Sequence, residues 1–366
     1  MASSRRGPDS LLKLALAAAV TAAVGFGADR IGVPSSYLFA AIVVGIAYAL
    51  LVPGGLELPR WFFPAGQAVA GVAVGTYLHT STLSGLGVRW IPVVLVSVGT
   101  LGISIGAGVL LARAAPVDRA TASLGMVAGG ASGIVAMADD LGADDRLVAF
   151  MQYLRLAIVV LVTPLIVGIA FHGHGAGPGS ELSGDVLGTA AGWGMTIGVA
   201  GAGAVIGTLL RLPAGTFLGP TLLSAVLTLT GVIDDVAVPP LIREVAFAAI
   251  GLYIGLRFER ETLRRLGRLL PPVLISMVAL IGGCFLLGWV LELTAGVSLL
   301  DGYLATTPGG LYAVLPLAFG SGADATFVLA VQGLRVLVMV LAAPAVVRLL
   351  LRGAQPPATS RRRNTR

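Results

Sequence analysis

"GGASGIVAMADDLGADDRLVAFMQYLRLAIVVLVTP" (residues 129–164) returns 180 positions later as "GGLYAVLPLAFGSGADATFVLAVQGLRVLVMVLAAP" (309–344), without a gap. Thirteen of the 36 positions are identical, among them Gly129/Gly309, Gly130/Gly310, Asp144/Asp324, Gln152/Gln332, Arg155/Arg335 and Pro164/Pro344. Shared apolar composition aligns valine with valine, but it does not set a Gln-x-x-Arg in one frame with two flanking motifs. Upstream, "GVAVGTYLHTSTLSGLGVRWIP" (71–92) meets "GLYIGLRFERETLRRLGRLLPP" (251–272) at the same offset, through Gly71/Gly251, Gly75/Gly255, Thr82/Thr262 and Pro92/Pro272. One residue of slippage then pairs Pro34 with Pro213. The chain reads as a duplication, with halves at 10–172 and 184–351. A Gly/Ser/Pro-rich exterior linker (173–183) joins them, and a disordered basic tail follows at 352–366.

The medium follows from composition. Of 366 residues, 56% are hydrophobic and 11% charged, and the mean hydropathy is +0.94, against about 25% charged in an ordinary soluble domain. Runs such as "LLKLALAAAVTAAVGFGA" and "PPVLISMVALIGGCFLLGWVL" approach or exceed the roughly 20 apolar residues that cross a bilayer as helix. They lack the alternation of barrel strands, so the expected class is an all-α polytopic membrane protein. The first thirty residues, with Arg5 and Arg6 before an apolar stretch, have the outline of a signal peptide. Their counterpart later in the chain argues for a span instead.

Charge decides the topology. The surplus of +6 lies in "SSRR" near the start, "RFERETLRRLGR" at 257–268 and "SRRRNTR" at the end, beside apolar runs where basic residues report orientation. Each half has five convincing spans plus a Gly-rich segment, 121–138 or 303–319. If that segment enters and returns on one side, the second half is inverted. Arg60, Arg113, Arg119, Arg146, Arg211, the basic loop and both termini then face the cytoplasm, leaving Arg30, Arg89 and Arg243 outside. If it crosses, the loop at 257–268 is forced outside. The expectation is therefore about ten transmembrane helices in two inverted five-helix repeats, each with a re-entrant broken-helix hairpin, with both termini in the cytoplasm.

Proline removes a backbone donor and glycine weakens a helix by roughly 1 kcal/mol relative to alanine. At membrane depth such irregular backbone is tolerated only where protein or a watery cavity surrounds it. "TTPGG" (Thr306, Thr307, Pro308, Gly309, Gly310) fits that description, as do Gly125, Gly129, Gly130, Ser132 and Gly133 in the first half. Two half-helix ends meeting across an inverted repeat form the binding site of many transporters. The alternative is that the glycines serve close helix packing.

Arg155 and Arg335 each lie about nine residues inside a span, roughly 12 Å from its start, where a central arginine costs at least about 2.5–3.5 kcal/mol. Gln152 and Gln332 stand one turn earlier on the same face. Two readings stay open: a pair of arginines binding an anion, or arginines capping the carbonyls of a broken helix or pairing with Asp144 and Asp324. Those two aspartates could themselves couple an ion or cap the next helix. Glu244, beside Arg243, reads as an interfacial pair. His79, His172 and His174 form no metal motif, Cys284 is alone, and no nucleophile elbow or phosphate loop is present. Neither an enzyme nor a cofactor or metal site is expected.

The duplicated block, with "PGG" opening one copy, "ADD" or "GAD" in its middle and "QxxR" in the next helix, resembles the bacterial AbrB-type polytopic membrane protein family. The likeness runs from about 12 to 350. That family is described as duplicated and has been labelled both a regulator of gene expression and an ammonia monooxygenase. The first copy departs from it, with "AGG" (128–130) in place of "PGG". A monooxygenase would need a copper site that three scattered histidines do not supply. Direct nucleic-acid binding would need a soluble module. The expected function is secondary transport of a small anionic solute, with indirect effects on gene expression; the alternative is a membrane sensor that binds a ligand without moving it. The partners expected are the lipid bilayer and that solute, and a homodimer is compatible with such a fold.

Overall fold

The computed structural model describes residues 8–31, 33, 35–52, 56, 58–76, 90–128, 134–135, 138, 141–171, 186–212, 214–232, 238–258, 264 and 267–352. Among them it is all helix, with no strand. The helices are α1 Pro8–Arg30, α2 Ser36–Leu51, α3 Phe62–Gly75, α4 Trp90–Ala114, α5 Arg119–Met126, α6 Asp145–Ala170, α7 Ala190–Leu209, α8 Gly215–Leu229, α9 Pro240–Gly255, α10 Leu270–Ala295, α11 Leu299–Thr306, α12 Leu311–Gly320 and α13 Ala325–Arg352. Five of them, α1, α4, α6, α7 and α10, are long and apolar enough to cross a membrane, and α2, α3 and α8 are shorter apolar helices. Large apolar side chains, such as Leu12, Leu95, Ile197 and Leu293, are exposed on the outside of the bundle. An apolar outer surface of this extent suits lipid rather than water.

The sequence sets the helix starts by ordinary capping chemistry. Asp118, Asp144, Thr189 and Ser298 each accept a bond from a backbone N–H in the first turn of α5, α6, α7 and α11, satisfying donors that a helix leaves open. Proline opens α9 and lies in the first turn of α10, where no intrahelical N–H is lost.

The two halves interleave. Helix α2 packs on α9, and α3 packs on α8. Both contacts run through the glycines that the sequence comparison had paired. A Cβ at Gly251 or Gly255 would fall under 3.0 Å from the carbonyl of Leu38 or Ile42, and one at Gly71 or Gly75 would do the same to Phe217 or Thr221. Residue numbers rise together along each contact, so both helix pairs are parallel. Backbones at this separation have no room for side chains, which is how small residues drive association where the surrounding medium is apolar. Two side-chain bonds reinforce the α3–α8 seam, from Ser224 Oγ to the Val72 carbonyl at 3.1 Å and from Thr216 Oγ1 to Gln67 Oε1 at 2.7 Å.

Between α4 and α10 the direction reverses. Gly99 lies beside Leu287, and Gly283 lies beside Ile103. One number rises as the other falls, so these helices are antiparallel. Ile103 and Gly283 are themselves 180 positions apart.

Glycines at the parallel seams and glycines facing outward behave differently on substitution. Gly75→Ala is expected to destabilise the folded protein by about 1–3 kcal/mol through overpacking. Gly102→Ala, in α4 with nothing within 4 Å of the new methyl, is expected to be neutral or to stabilise by up to about 1 kcal/mol. Thermal unfolding of the two variants in detergent checks this, and equal midpoints would refute the seam.

Candidate functional site

The stretch after α11 has a local reason for each residue. Thr306 Oγ1 donates to the carbonyls of Cys284 (2.7 Å) and Gly302 (2.9 Å), and Thr307 Oγ1 donates to that of Tyr303 at 2.6 Å. The N–H of Gly309 bonds to the Thr307 carbonyl at 2.9 Å. That closes a three-residue turn centred on Pro308, whose fixed φ suits such a turn. Gly309 lies so close to Val159 of α6 that a Cβ would clash with it, and Gly310 has φ +83°, in the left-handed region. The chain then starts again as α12.

A helix that stops after eight residues leaves its last carbonyls without intrahelical donors. Here side chains from α13 supply them. Gln332 Nε2 donates to Leu304 (2.8 Å) and Thr307 (3.1 Å), and Arg335 Nη1 donates to Thr306 (3.0 Å) and Thr307 (2.9 Å). Arg335 Nη2 donates to Gln332 Oε1, locking the two side chains together. The first half repeats this between α5 and α6. Gln152 Nε2 donates to Leu124 (2.7 Å) and Val127 (3.0 Å), Arg155 Nη1 to Val127 (2.9 Å) and Met126 (3.4 Å), and Arg155 Nη2 to Gln152 Oε1 (2.8 Å). Every one of these partners lies 180 positions from its counterpart.

One of the clamp bonds reaches from the first half to the second. Arg155 Nε donates to the Pro308 carbonyl at 2.8 Å. The Nε of Arg335 meets no acceptor among the described residues. Nor does a carboxylate there lie within ion-pair distance of Arg335, although the side chain is only 1% exposed.

At their other ends a bond joins the two flanks of each broken segment. The N–H of Asp144 donates to Thr121 Oγ1 at 2.8 Å, and the N–H of Asp324 donates to Asp301 Oδ1 at 2.7 Å. Thr121 also donates to Asp118 Oδ2 at 2.5 Å, and Ser298 to Asp301 Oδ2 at 2.6 Å. The hydroxyl and the carboxylate have changed places between the halves while the bond between them remains.

The structure thus gathers Gln152, Arg155, Thr306, Thr307, Pro308, Gln332 and Arg335 into one buried cluster, with Gly309 and Gly310 at its edge. Gly129, Gly130 and Ser132 lie outside the described residues. Of the two readings of the arginines, carbonyl capping is the one these bonds express. Asp144 and Asp324 stand apart from the cluster as N-caps, accepting from the N–H groups of Arg146 and Leu147 and of Thr326 and Phe327. Glu244 pairs with Arg243 at 2.8 Å but is itself buried, deeper than an interfacial pair implies. Thr121 and Asp301 are site-shaping residues that the sequence comparison missed, because they align with each other as unlike residues. A pocket of about 590 Å³, lined by Phe171, Ser298, Asp301 and Asp324 among others, lies at the mouth of the second segment rather than at the arginines. Arg335 is eleven residues further along α13 than Asp324, about 16 Å of helix.

Long apolar helices around a polar, carbonyl-clamping centre define an all-helical protein of the membrane-spanning kind. The chain belongs to the AbrB family: the family described as "Transition state regulatory protein AbrB" matches residues 37–351. It is similar to the Escherichia coli (strain K12) protein named "Putative regulator AbrB", with 37% identity over 336 residues, 89% of this chain and 92% of the relative. It is also similar to the Bacillus subtilis (strain 168) protein named "Uncharacterized protein YhjN", with 26% identity over 362 residues, 93% of this chain and 94% of the relative.

Removing one clamp should strand buried carbonyls. Gln332→Leu and Gln152→Leu are each expected to lower stability by about 1–3 kcal/mol, read as a fall in the thermal midpoint in detergent. A midpoint equal to that of the parent would show that these carbonyls do not depend on the glutamines.

Proposed function

We propose that this protein is a secondary transporter of a small anionic solute, with its site at the two broken helices and their arginines. The observation that carries this reading is Arg335: a guanidinium 1% exposed, without an acidic partner among the described residues, and with an N–H engaged by no acceptor there. Burying a charge is tolerated when it is paired, and an anionic ligand would supply the missing partner. Gln152, Arg155, Gln332 and the Thr306–Gly310 turn frame that site in this proposal, and Gly129, Gly130 and Ser132, which lie outside the described residues, are included in it on the sequence repeat alone.

In the proposed arrangement ten helices span the bacterial cytoplasmic membrane in two inverted five-helix repeats, 10–172 and 184–351, with both termini in the cytoplasm. Three observations support it. Ile103 and Gly283 are counterparts that touch each other across antiparallel helices, as residues on a two-fold axis perpendicular to those helices would. The bonds Thr121–Asp144 and Asp301–Asp324 bring the two ends of each broken segment to one level, as a re-entrant hairpin requires. Finally, α5 and α11 have eight residues each, about 12 Å, well short of the roughly 30 Å hydrocarbon layer. Inverted repeats with broken helices at the midplane suit alternating access. The capping roles of Asp144 and Asp324 account for their positions without a coupled ion.

A second reading, a sensor that binds the anion without moving it, draws on the word "regulator" in the name of the Escherichia coli relative. In either case an effect on gene expression would run through the solute rather than through contact with nucleic acid. Purified protein in proteoliposomes, offered a panel of radiolabelled small carboxylates and inorganic anions, distinguishes the two. Transport predicts saturable uptake of at least one anion, reduced at least about tenfold in Arg335→Gln, the loss of one hydrogen bond to a charged group. Binding without uptake favours the sensor, and uptake unaffected by Arg335→Gln removes the site.

A further inference from the structure

The bonds given above for the two Gln-x-x-Arg clamps match at Gln Nε2, Arg Nη1 and Arg Nη2 and differ at Arg Nε, where one clamp reaches across to the other half. Arg155 Nε reaches across to the carbonyl of Pro308. The counterpart of Pro308 is Ala128, the residue after Val127, whose carbonyl Arg155 already holds. Ala128 is buried, as is Arg335, yet Arg335 Nε is left without an acceptor among the described residues. A buried donor left unmade costs about 1–3 kcal/mol, so a fold whose two halves are near copies retains an unused bond at its centre.

We propose that the Arg155–Pro308 bond is one of two alternative ties, and that in a second conformation it opens while Arg335 Nε donates to the carbonyl of Ala128. The two conformations exchange the roles of the halves, so each exposes the mouth of a different broken segment. This proposal rests on the inverted-repeat reading above. In the conformation described here a pocket lined by Asp301, Ala323 and Asp324 among others lies at the mouth of the second segment. The exchange would close that mouth and open the one bounded by Thr121 and Asp144. It also ties ligand to motion, because whichever arginine is not making the cross-tie offers its Nε–H to the anion.

The residues at the turn are consistent with this. Pro308 fixes the second hairpin in a tight turn that presents its carbonyl, whereas alanine at 128 leaves the first hairpin without that constraint. The resting preference for the Arg155 tie therefore follows from the one departure between "AGG" and "PGG".

The test uses full-length protein in proteoliposomes, in a Cys284→Ala background, with single reporters Ala323→Cys and Ala143→Cys at the two mouths. Each is labelled with a membrane-impermeant maleimide from either side. Lysine keeps the charge but has no Nε, so Arg155→Lys is expected to slow labelling at 323 and speed it at 143, by at least about fivefold in their ratio. Arg335→Lys is expected to shift that ratio the opposite way. The double variant should return toward the parent, which no folding defect would do. If a lysine variant fails to reach the membrane, Arg155→Gln and Arg335→Gln should show the same opposed signs. Shifts in the same direction, or no shift in either variant, would overturn the alternating tie. If both reporters label from the same side, the inverted arrangement itself fails; opposite sides with unopposed shifts refute the tie alone.

Discussion

The carbonyl groups at the ends of α11 and α5 set the terms for the rest of the structure. Each short helix stops inside an apolar body, where water is not at hand to satisfy Leu304, Thr306 and Thr307 or Leu124, Met126 and Val127. In such a medium an unpaired backbone group costs several kcal/mol. A glutamine and an arginine one turn apart on the adjoining long helix solve this with one rigid unit, because Arg Nη2 also holds Gln Oε1. Guanidinium suits the task better than ammonium: its planar fork can serve two carbonyls and an amide oxygen at once. The expense of a buried arginine is offset by the carbonyls it satisfies, and the negative end of a helix dipole adds to the balance.

Holding those clamps in register demands that the surrounding helices be fixed with little tolerance. The parallel α2–α9 and α3–α8 seams provide this through backbone-to-backbone contact at Gly71, Gly75, Gly251 and Gly255. Each seam joins one half to the other, so neither half presents a finished core by itself. The antiparallel α4–α10 contact then sets the broken segments beside one another, since α5 packs on α4 and α11 on α10. The Arg155–Pro308 bond is a consequence of that placement.

Much of this was legible in the sequence. The 180-residue offset, the Gln-x-x-Arg frame and the Asp144 and Asp324 caps all appear as matched letters, and the structure gives the two glutamines, the two aspartates and the Nη groups of the two arginines matching bonds, with the arginine Nε atoms the exception. The four seam glycines also appear as matches, but a single strand of letters does not say that α2 lies on α9 rather than on a neighbour from its own half. Two further things were invisible for a physical reason. The bonds that close the broken segments use Thr121 with Asp118 in one half and Asp301 with Ser298 in the other. An exchange of donor and acceptor keeps the interaction while erasing the identity. The choice between anion binding and carbonyl capping was likewise open, because both ask for the same arginine at the same depth, and only the acceptor atoms separate them.

Those acceptor atoms do not exhaust the charge at the centre. Arg155 and Arg335 bring two formal positive charges, since a guanidinium keeps its proton in proteins. The C-terminal ends of α5 and α11 offset about half a charge each, and the start of α12 beside Gly310 returns about half a charge of the opposite sign. The balance is positive, and for Arg335 no acidic side chain among the described residues reduces it. A cationic solute would have to enter against that field and a neutral one would gain little from it, whereas a small anion would be drawn by it. Capping and the proposed anion binding therefore ask different things of the same two side chains: the carbonyls fix where each guanidinium sits, and the charge they leave uncancelled is what an anion would meet.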